Sequence, residues 1–485
     1  MVSSKGLTSL TLTVRPYVVA RFIGELCLSL AAMSAVPCAV TAALGELALS
    51  ARLAVVAAVF AGLYLWLRRL PDPNHMQVNE ALVTLAVTFV IAAAGMTWPL
   101  MAAGLSLPDA VFESVSAVTT TGLSTVAPIE GMPAGFLFTR AWLQWYGGLL
   151  IVVLALALMV EPGSVAKRLS TNDLDPNDLV GSTRVRARRA LVVYGILSAV
   201  CCAVLMALGV GGFDALLHTM TAVSTAGFSS HSDSLAGVGG WPAQAATMVF
   251  CLAGAISFSV YAFPRRGQWW RFFTDLRVVT LVACCVLASA LLAAAMALDG
   301  GYGWREIAAN APLVAVSAQT TTGFETISVA ELGAAAQLVL IVAMTIGGNG
   351  GSTAGGIKTL RLLILIRLVQ SFVLRASSGS HAVITPTLGG HRLSDEDFRG
   401  CGATVVLFTI AVAAGWFVFL LYDYPAGDAL FEVVSALCTV GLSAGLTGPD
   451  LETPLKAVLC VLMLIGRLEV IAFVVLFYPR TWIRH

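Results

Sequence analysis

The sequence predicts an all-α polytopic membrane protein with ten transmembrane helices. Four pseudo-symmetric helix–pore-loop–helix repeats follow two N-terminal helices. Three observations lead there. The chain has 485 residues, 58% hydrophobic and 11% charged, whereas soluble domains carry about 25% charged residues. Ten apolar runs are long enough, or nearly so, to span a bilayer of about 30 Å. One sixteen-residue pattern recurs four times without a gap.

The apolar runs lie near 22–45, 53–67, 80–100, 138–159, 189–209, 242–263, 278–298, 334–366, 402–421 and 455–477. The second is short, with room to extend back past Arg52. Arg-rich loops alternate with loops almost free of positive charge. The segments 101–137, 210–241, 298–333 and 422–454 hold one basic residue between them, Arg305. Arg68–Arg69, Lys167–Arg168, Arg184–Arg189, Arg265–Arg277, Lys358–Arg399 and Arg480–Arg484 bound the opposite set. Positive charge is retained in the cytoplasm, so both termini and the basic loops are expected there. Lys5, Arg15 and Arg21 before the first run mimic a signal peptide, but Arg68–Arg69 after a long apolar stretch reads as an uncleaved anchor.

The predicted units are a two-helix region at 1–72, then repeats at 73–165, 166–272, 273–385 and 386–485. The recurring segments are DAVFESVSAVTTTGLS from Asp109, DALLHTMTAVSTAGFS from Asp214, NAPLVAVSAQTTTGFE from Asn310 and DALFEVVSALCTVGLS from Asp428. Each glycine, at 122, 227, 323 and 441, follows its Asp or Asn by thirteen residues. The acidic start suits an N-cap and the positive end of a helix dipole. About ten helical residues are too few to cross, so the element enters and turns back. Irregular backbone at membrane depth is tolerated where it is buried in protein or lines a watery cavity. The candidate ion-binding residues are therefore Thr120, Thr121, Gly122, Thr225, Ala226, Gly227, Thr321, Thr322, Gly323, Thr439, Val440 and Gly441. Their carbonyls and hydroxyls can replace the hydration shell of a monovalent cation. Close helix packing through small residues is the competing explanation; four gap-free copies favour the pore.

These segments resemble the Trk/Ktr/HKT superfamily of potassium transporters, of the TrkH/TrkG type. Further resemblance lies in LQWYGGL (Leu143–Leu149), IGGNGGSTAGGIKTLR (Ile346–Arg361) and GRLEV (Gly466–Val470). The resemblance implies a homodimeric protein of a bacterial-type inner membrane, with one K⁺-conducting pore per subunit and a cytosolic nucleotide-binding subunit of the RCK type. The chain departs from the pattern at Pro312–Val314, Asn349 and Ala354, and in the varied residue before each filter glycine.

Gly347–Gly356 holds six glycines in ten residues within the eighth apolar run. Each glycine costs a helix roughly 1 kcal/mol relative to alanine, so the helix should break. GGIKT echoes a nucleotide loop, but Ile357 spoils the spacing and no strand precedes it. The expected gating group is Gly347, Gly348, Asn349, Gly350, Gly351, Ser352, Thr353, Ala354, Gly355, Gly356, Lys358 and Arg467. The resemblance implies that this loop is the intramembrane gate; a passive kink is the other reading. Arg467 in lipid would cost about 2.5–3.5 kcal/mol or more, so it should face inward. It then pairs with a carboxylate such as Glu469, anchors the loop through carbonyls, or sets ion throughput as a charge in the path.

Glu113 and Glu432 read as ordinary first-turn acids with a modest electrostatic benefit. The ten cysteines sit mostly in apolar runs without metal spacing, and the six histidines form no ligand pair. Arg184–Arg189 and Arg265–Arg271 read as anchors at the lipid surface. K⁺ is the expected cargo, no other cofactor is expected, and no constellation suggests an enzyme. One charge gains about 2.3 kcal/mol per 100 mV, enough to drive uptake without ATP. A secondary transporter coupled to H⁺ or Na⁺ is the alternative, since broken midplane helices mark that class too.

Overall fold

The computed structural model describes residues 13–71, 76–158, 179–377, 386–468, 473 and 475–482. Lys167, Arg168, Glu469, the chain termini and the repeat boundaries at 72–73, 165–166 and 385 lie outside them. A helical hairpin comes first, α1 (Pro16–Ala43) and α2 (Leu47–Leu67), turned at Gly45 with φ +81°. Its second helix does extend back past Arg52. The next group is α3 (Val78–Leu100), the short α4 (Leu107–Val118) and α5 (Ala134–Leu158). Then come α6 (Leu179–Ala207), α7 (Gly212–Val223) and α8 (Trp241–Ala255). The third group is α9 (Leu276–Asp299), α10 (Trp304–Gln319), α11 (Ala334–Ile346) and α12 (Thr359–Ser377). A two-stranded ribbon, Thr387–Leu388 against His391–Arg392, precedes α13 (Asp395–Leu421), α14 (Ala426–Leu437) and α15 (Thr453–Arg467).

Seven helices among the described residues are long and apolar enough to cross a membrane: Pro16–Ala43, Leu47–Leu67, Asn79–Ala103, Ala134–Val153, Ala187–Ala207, Leu276–Asp299 and Asp395–Leu421. The other three apolar runs hold shorter helices. In the run 242–263, α8 stops at Ala255, where Ile256 turns extended. The run 334–366 breaks between α11 and α12, as its glycines require. In the run 455–477, α15 ends at Arg467.

The four short helices α4, α7, α10 and α14 share one termination. Thr120, Thr225, Thr321 and Thr439 each take a left-handed φ between +51° and +54°. Each donates its N–H to the alanine three residues back, and the next residue donates to the carbonyl five back. This is a Schellman closure, usually formed around glycine. The alanines concerned, Ala117, Ala222, Ala318 and Ala436, are fully buried. At the other end the expected caps shift. Ser106 caps α4 and accepts from the Asp109 amide, which places that Asp in the first turn. Asp214 and Asp428 likewise lie in first turns, whereas Asn310 sits inside α10, which starts earlier, at Trp304.

Packing between groups rests on close backbone approach. A Cβ on Gly147, Gly254 or Gly466 would overlap the carbonyl oxygen ending a short helix, at Val118, Val223 and Leu437 respectively. One buried apolar cluster joins the last group to α9–α11, and another joins the α1–α2 hairpin to α3–α5. The last group meets the first through buried Lys456 of α15. Its Nζ donates to Asp109 of α4 at 2.7 Å and to the Pro449 carbonyl at 2.8 Å.

Replacing Lys456 by methionine keeps the apolar stem and deletes these two charge-assisted bonds, each worth about 1.5–3 kcal/mol. The expected result is a lower thermal unfolding midpoint in detergent. An unchanged midpoint would show that the tie contributes nothing to stability.

Candidate functional site

The segments after the four left-handed threonines meet one another. Gly122, Gly227, Gly323 and Gly441 have φ from +81° to +96°. A Cβ on Gly122 would overlap the carbonyl oxygen of Ala226, and one on Gly227 that of Thr322. A Cβ on Gly323 would overlap the oxygen of Val440, and one on Gly441 that of Thr121. Each glycine thus lies against the residue preceding the next glycine, and the fourth contact returns to the first segment. Eight of the twelve residues singled out in the sequence make these contacts, the four left-handed threonines lead into them, and the eight that carry side chains are buried.

Threonine is β-branched, and φ near +50° is a costly conformation for it, of order 1–3 kcal/mol each. Four such residues persist because the helix closure and the neighbouring glycine contacts over-determine them, with side-chain bonds added at Thr225 and Thr321. Nothing in the sequence signalled the left-handed threonine, since that residue type avoids the region. A second residue escaped notice although its motif was quoted. Gln144 of α5 donates from Nε2 to the Ala226 carbonyl at 2.7 Å and accepts from the Phe228 amide at 3.2 Å. It pins the second segment from both sides, so the Ala226 carbonyl has a protein donor.

The glutamates are not first-turn acids. Glu113 and Glu432 lie midway along α4 and α14 and are fully buried. Glu113 pairs with buried Arg140 at 2.9 Å and accepts from Ser124 Oγ at 2.6 Å and the Thr125 amide at 2.8 Å. The Arg140 guanidinium covers the Phe228 ring at 3.8 Å. Glu432 accepts from Ser443 Oγ at 2.5 Å, Thr447 Oγ1 at 2.8 Å and the amides of residues 444, 446 and 447. Both acids hold the chain that leaves the glycine segment. The regular offset between each glutamate and its serine could have revealed this in the sequence.

The glycine-rich loop docks against the opposite, threonine side of the circuit. The Gly355 amide donates to Thr321 Oγ1 at 2.6 Å, and Thr225 Oγ1 donates to Thr353 Oγ1 at 3.1 Å. Thr353 in turn donates to the Gly254 carbonyl at 3.0 Å and the Val223 carbonyl at 3.3 Å. Gly355 packs so closely on the Cys438 carbonyl and Thr439 Oγ1 that a Cβ there would collide with both. Thr120 Oγ1 and Thr439 Oγ1 have no hydrogen-bond partner among the described residues.

The loop's ends are fixed as well. Gln319 donates to the Gly347 carbonyl at 2.7 Å, and the Thr359 amide closes on the Gly348 carbonyl at 3.0 Å. Buried Asn349 donates to the Arg277 carbonyl at 3.2 Å and accepts from Thr359 Oγ1 at 2.5 Å. Ser352 Oγ donates to the Asn349 carbonyl at 2.6 Å, and the Phe258 amide to the Gly351 carbonyl at 3.0 Å. Lys358 Nζ donates to the Ala354 carbonyl, and Gly350 and Gly356 complete the turn. Buried Arg467 reaches in from α15, donating to the Thr353 carbonyl at 2.7 Å and to the Gly147 carbonyl of α5 at 3.3 Å. Among the described residues it makes no ion pair, so carbonyl anchoring is its observed role.

The chain matches the family model TrkH, described as cation transport protein, over residues 50–264 and 269–482. It is 30% identical over 427 residues to the Trk system potassium uptake protein TrkH of Halomonas elongata, covering 84% of this chain and 87% of that one. It is 28% identical to an uncharacterised cation transporter of Methanocaldococcus jannaschii, covering 85% of each. The fold matches the crystal structure of the potassium transporter TrkH from Vibrio parahaemolyticus with a TM-score of 0.85 at 24% identity, over 97% of this chain and 100% of that one. With two thirds and more of its length aligned to such relatives, and its four glycine segments within the matched ranges, this chain belongs to the TrkH family of cation transport proteins.

Proposed function

We propose that the protein takes up K⁺ through a channel-like pore whose selective element is the circuit of Thr120–Gly122, Thr225–Gly227, Thr321–Gly323 and Thr439–Gly441. The closed contact of each glycine with its neighbour's carbonyl carries this reading. Strained backbone at four equivalent threonines suits a site built to hold oxygens at fixed positions. The names of the relatives support potassium as the cargo. Membrane potential supplies the drive at about 2.3 kcal/mol per charge per 100 mV, roughly a fiftyfold accumulation.

The loop 347–356 acts as the gate in this proposal, because it bonds directly to filter threonines and bars the threonine-side mouth. Arg467 is its latch. Ten crossings follow when α8, the α11–α12 pair and α15 each count as one interrupted span. Both termini and the basic loops then face the cytoplasm of a bacterial-type inner membrane. A homodimer with a cytosolic RCK-type subunit completes the assembly. A carrier coupled to H⁺ or Na⁺ is the competing mechanism; its reversal potential would move with the coupling ion.

The test is ⁸⁶Rb⁺ uptake into liposomes holding the purified protein, competed by K⁺, Na⁺ and Li⁺. Uptake that follows the electrical gradient and is blocked far better by K⁺ than by Li⁺ is expected. Gly441→Ser forces a side chain toward the Thr121 carbonyl and should cut K⁺/Na⁺ discrimination by roughly tenfold, equivalent to about 1.4 kcal/mol; unchanged relative permeability excludes the filter assignment. Deleting residues 350–355 should raise flux, and a folded deletion protein with normal flux would remove the gate. Arg467→Ala, by freeing the Thr353 carbonyl, should shift flux in the same direction by a smaller factor, read in the same assay.

A further inference from the structure

The rim beyond the glycines follows a rule that one repeat breaks. Nine residues before each glycine stands a short-helix residue, and two after it a loop residue. In the first and fourth repeats these are Glu113 with Ser124 and Glu432 with Ser443, joined by the hydrogen bonds given above. In the second they are His218 and Ser229, with His218 Nε2 3.0 Å from Ser229 Oγ. In the third the helix residue is Val314, and the carboxylate has moved to the loop as Glu325.

Glu325 therefore has no partner on the short helix of its own repeat. Its backbone is held by the second repeat, donating to Ser234 Oγ at 3.1 Å and accepting from the Leu235 amide at 3.0 Å. Its carboxylate reaches the fourth repeat, where Oε1 accepts from the Ser443 amide at a long 3.3 Å. The contrast with its fellow acids is sharp. Arg140 neutralises Glu113, and five donors surround Glu432. Glu325 is only partly buried and makes no ion pair among the described residues. The same register in the other repeats is a neutral serine, so this rim carries one weakly satisfied carboxylate, two residues beyond Gly323.

We infer that Glu325 is the residue that captures cations at the outer rim and sets the apparent affinity for K⁺ before the ion enters the filter. A single negative charge at a mouth raises local cation concentration, here by roughly threefold to tenfold. The inference rests on the filter reading above.

The experiment compares the full-length wild type with Glu325→Gln and Glu325→Ser in liposomes. Initial rates of ⁸⁶Rb⁺ uptake are measured over a range of external Rb⁺ concentrations. The serine variant installs the residue of the other three repeats and guards against a folding artefact. Both variants should raise the apparent KM by roughly threefold to tenfold with little change in maximal flux. Unchanged KM in both variants overturns the inference. Gly441→Ser separates the two levels. If it abolishes selectivity while Glu325→Gln changes nothing, only the capture role falls; if Gly441→Ser leaves selectivity intact, the filter reading falls first.

Discussion

The structure depends on a backbone-to-backbone constraint: four glycines, each pressed against the carbonyl of the next repeat, in a circuit that closes. A side chain at any of these positions would occupy the space of a neighbouring oxygen. The left-handed threonine before each glycine makes the circuit possible, because it turns the chain at the end of a short helix. That turn costs about 1–3 kcal/mol per residue. It is offset by the paired hydrogen bonds of the helix closure and by close burial on all sides. The helix glycines at 147, 254 and 466 serve the same end by bringing a neighbouring helix onto the short helix's last carbonyl.

Pseudo-symmetry at the glycines is deliberately incomplete one layer away on each side. On the threonine side, the loop of the third repeat bonds to Thr225, through Thr353, and to Thr321, while the hydroxyls of Thr120 and Thr439 have no hydrogen-bond partner among the described residues. One loop therefore meets a fourfold arrangement unequally, using Arg467 from the fourth repeat and Gly147 from the first as remote supports. On the other side, the clasp residues run Glu, His, Val, Glu, with the missing acid displaced to Glu325. The departures from equivalence thus fall on the third repeat, which carries both the docked loop and the displaced acid.

Buried charges explain the choice of partners. Arg467 has no carboxylate to meet among the described residues, and its two terminal nitrogens bond carbonyls, which are abundant where helices break. Breaking those carbonyl contacts leaves a cation uncompensated in a low-dielectric interior. That makes the arginine a strong fastener for a loop that is otherwise rich in glycine and poor in intrinsic order. Glu113 and Glu432 show the complementary solution, in which an acid gathers the amides and hydroxyls of a short stretch of loop and fixes its exit from the ring.

Much of this was legible in the sequence. Gap-free recurrence of Asp or Asn, Ala, Thr and Gly marked four short helices with one shared ending, and apolar run lengths marked the seven described helices long enough to cross a membrane, because helix length against bilayer thickness is a one-dimensional constraint. The glycine run at 347–356 announced a break for the same local reason. Three things required the tertiary structure. The left-handed threonines contradict local propensity and exist only because other segments hold them. Gln144 acts on residues more than eighty positions away, and spacing along the chain carries no trace of that. Glu325 accepts from the Ser443 amide 118 residues along the chain, a contact that depends on how distant segments pack and not on spacing within either of them.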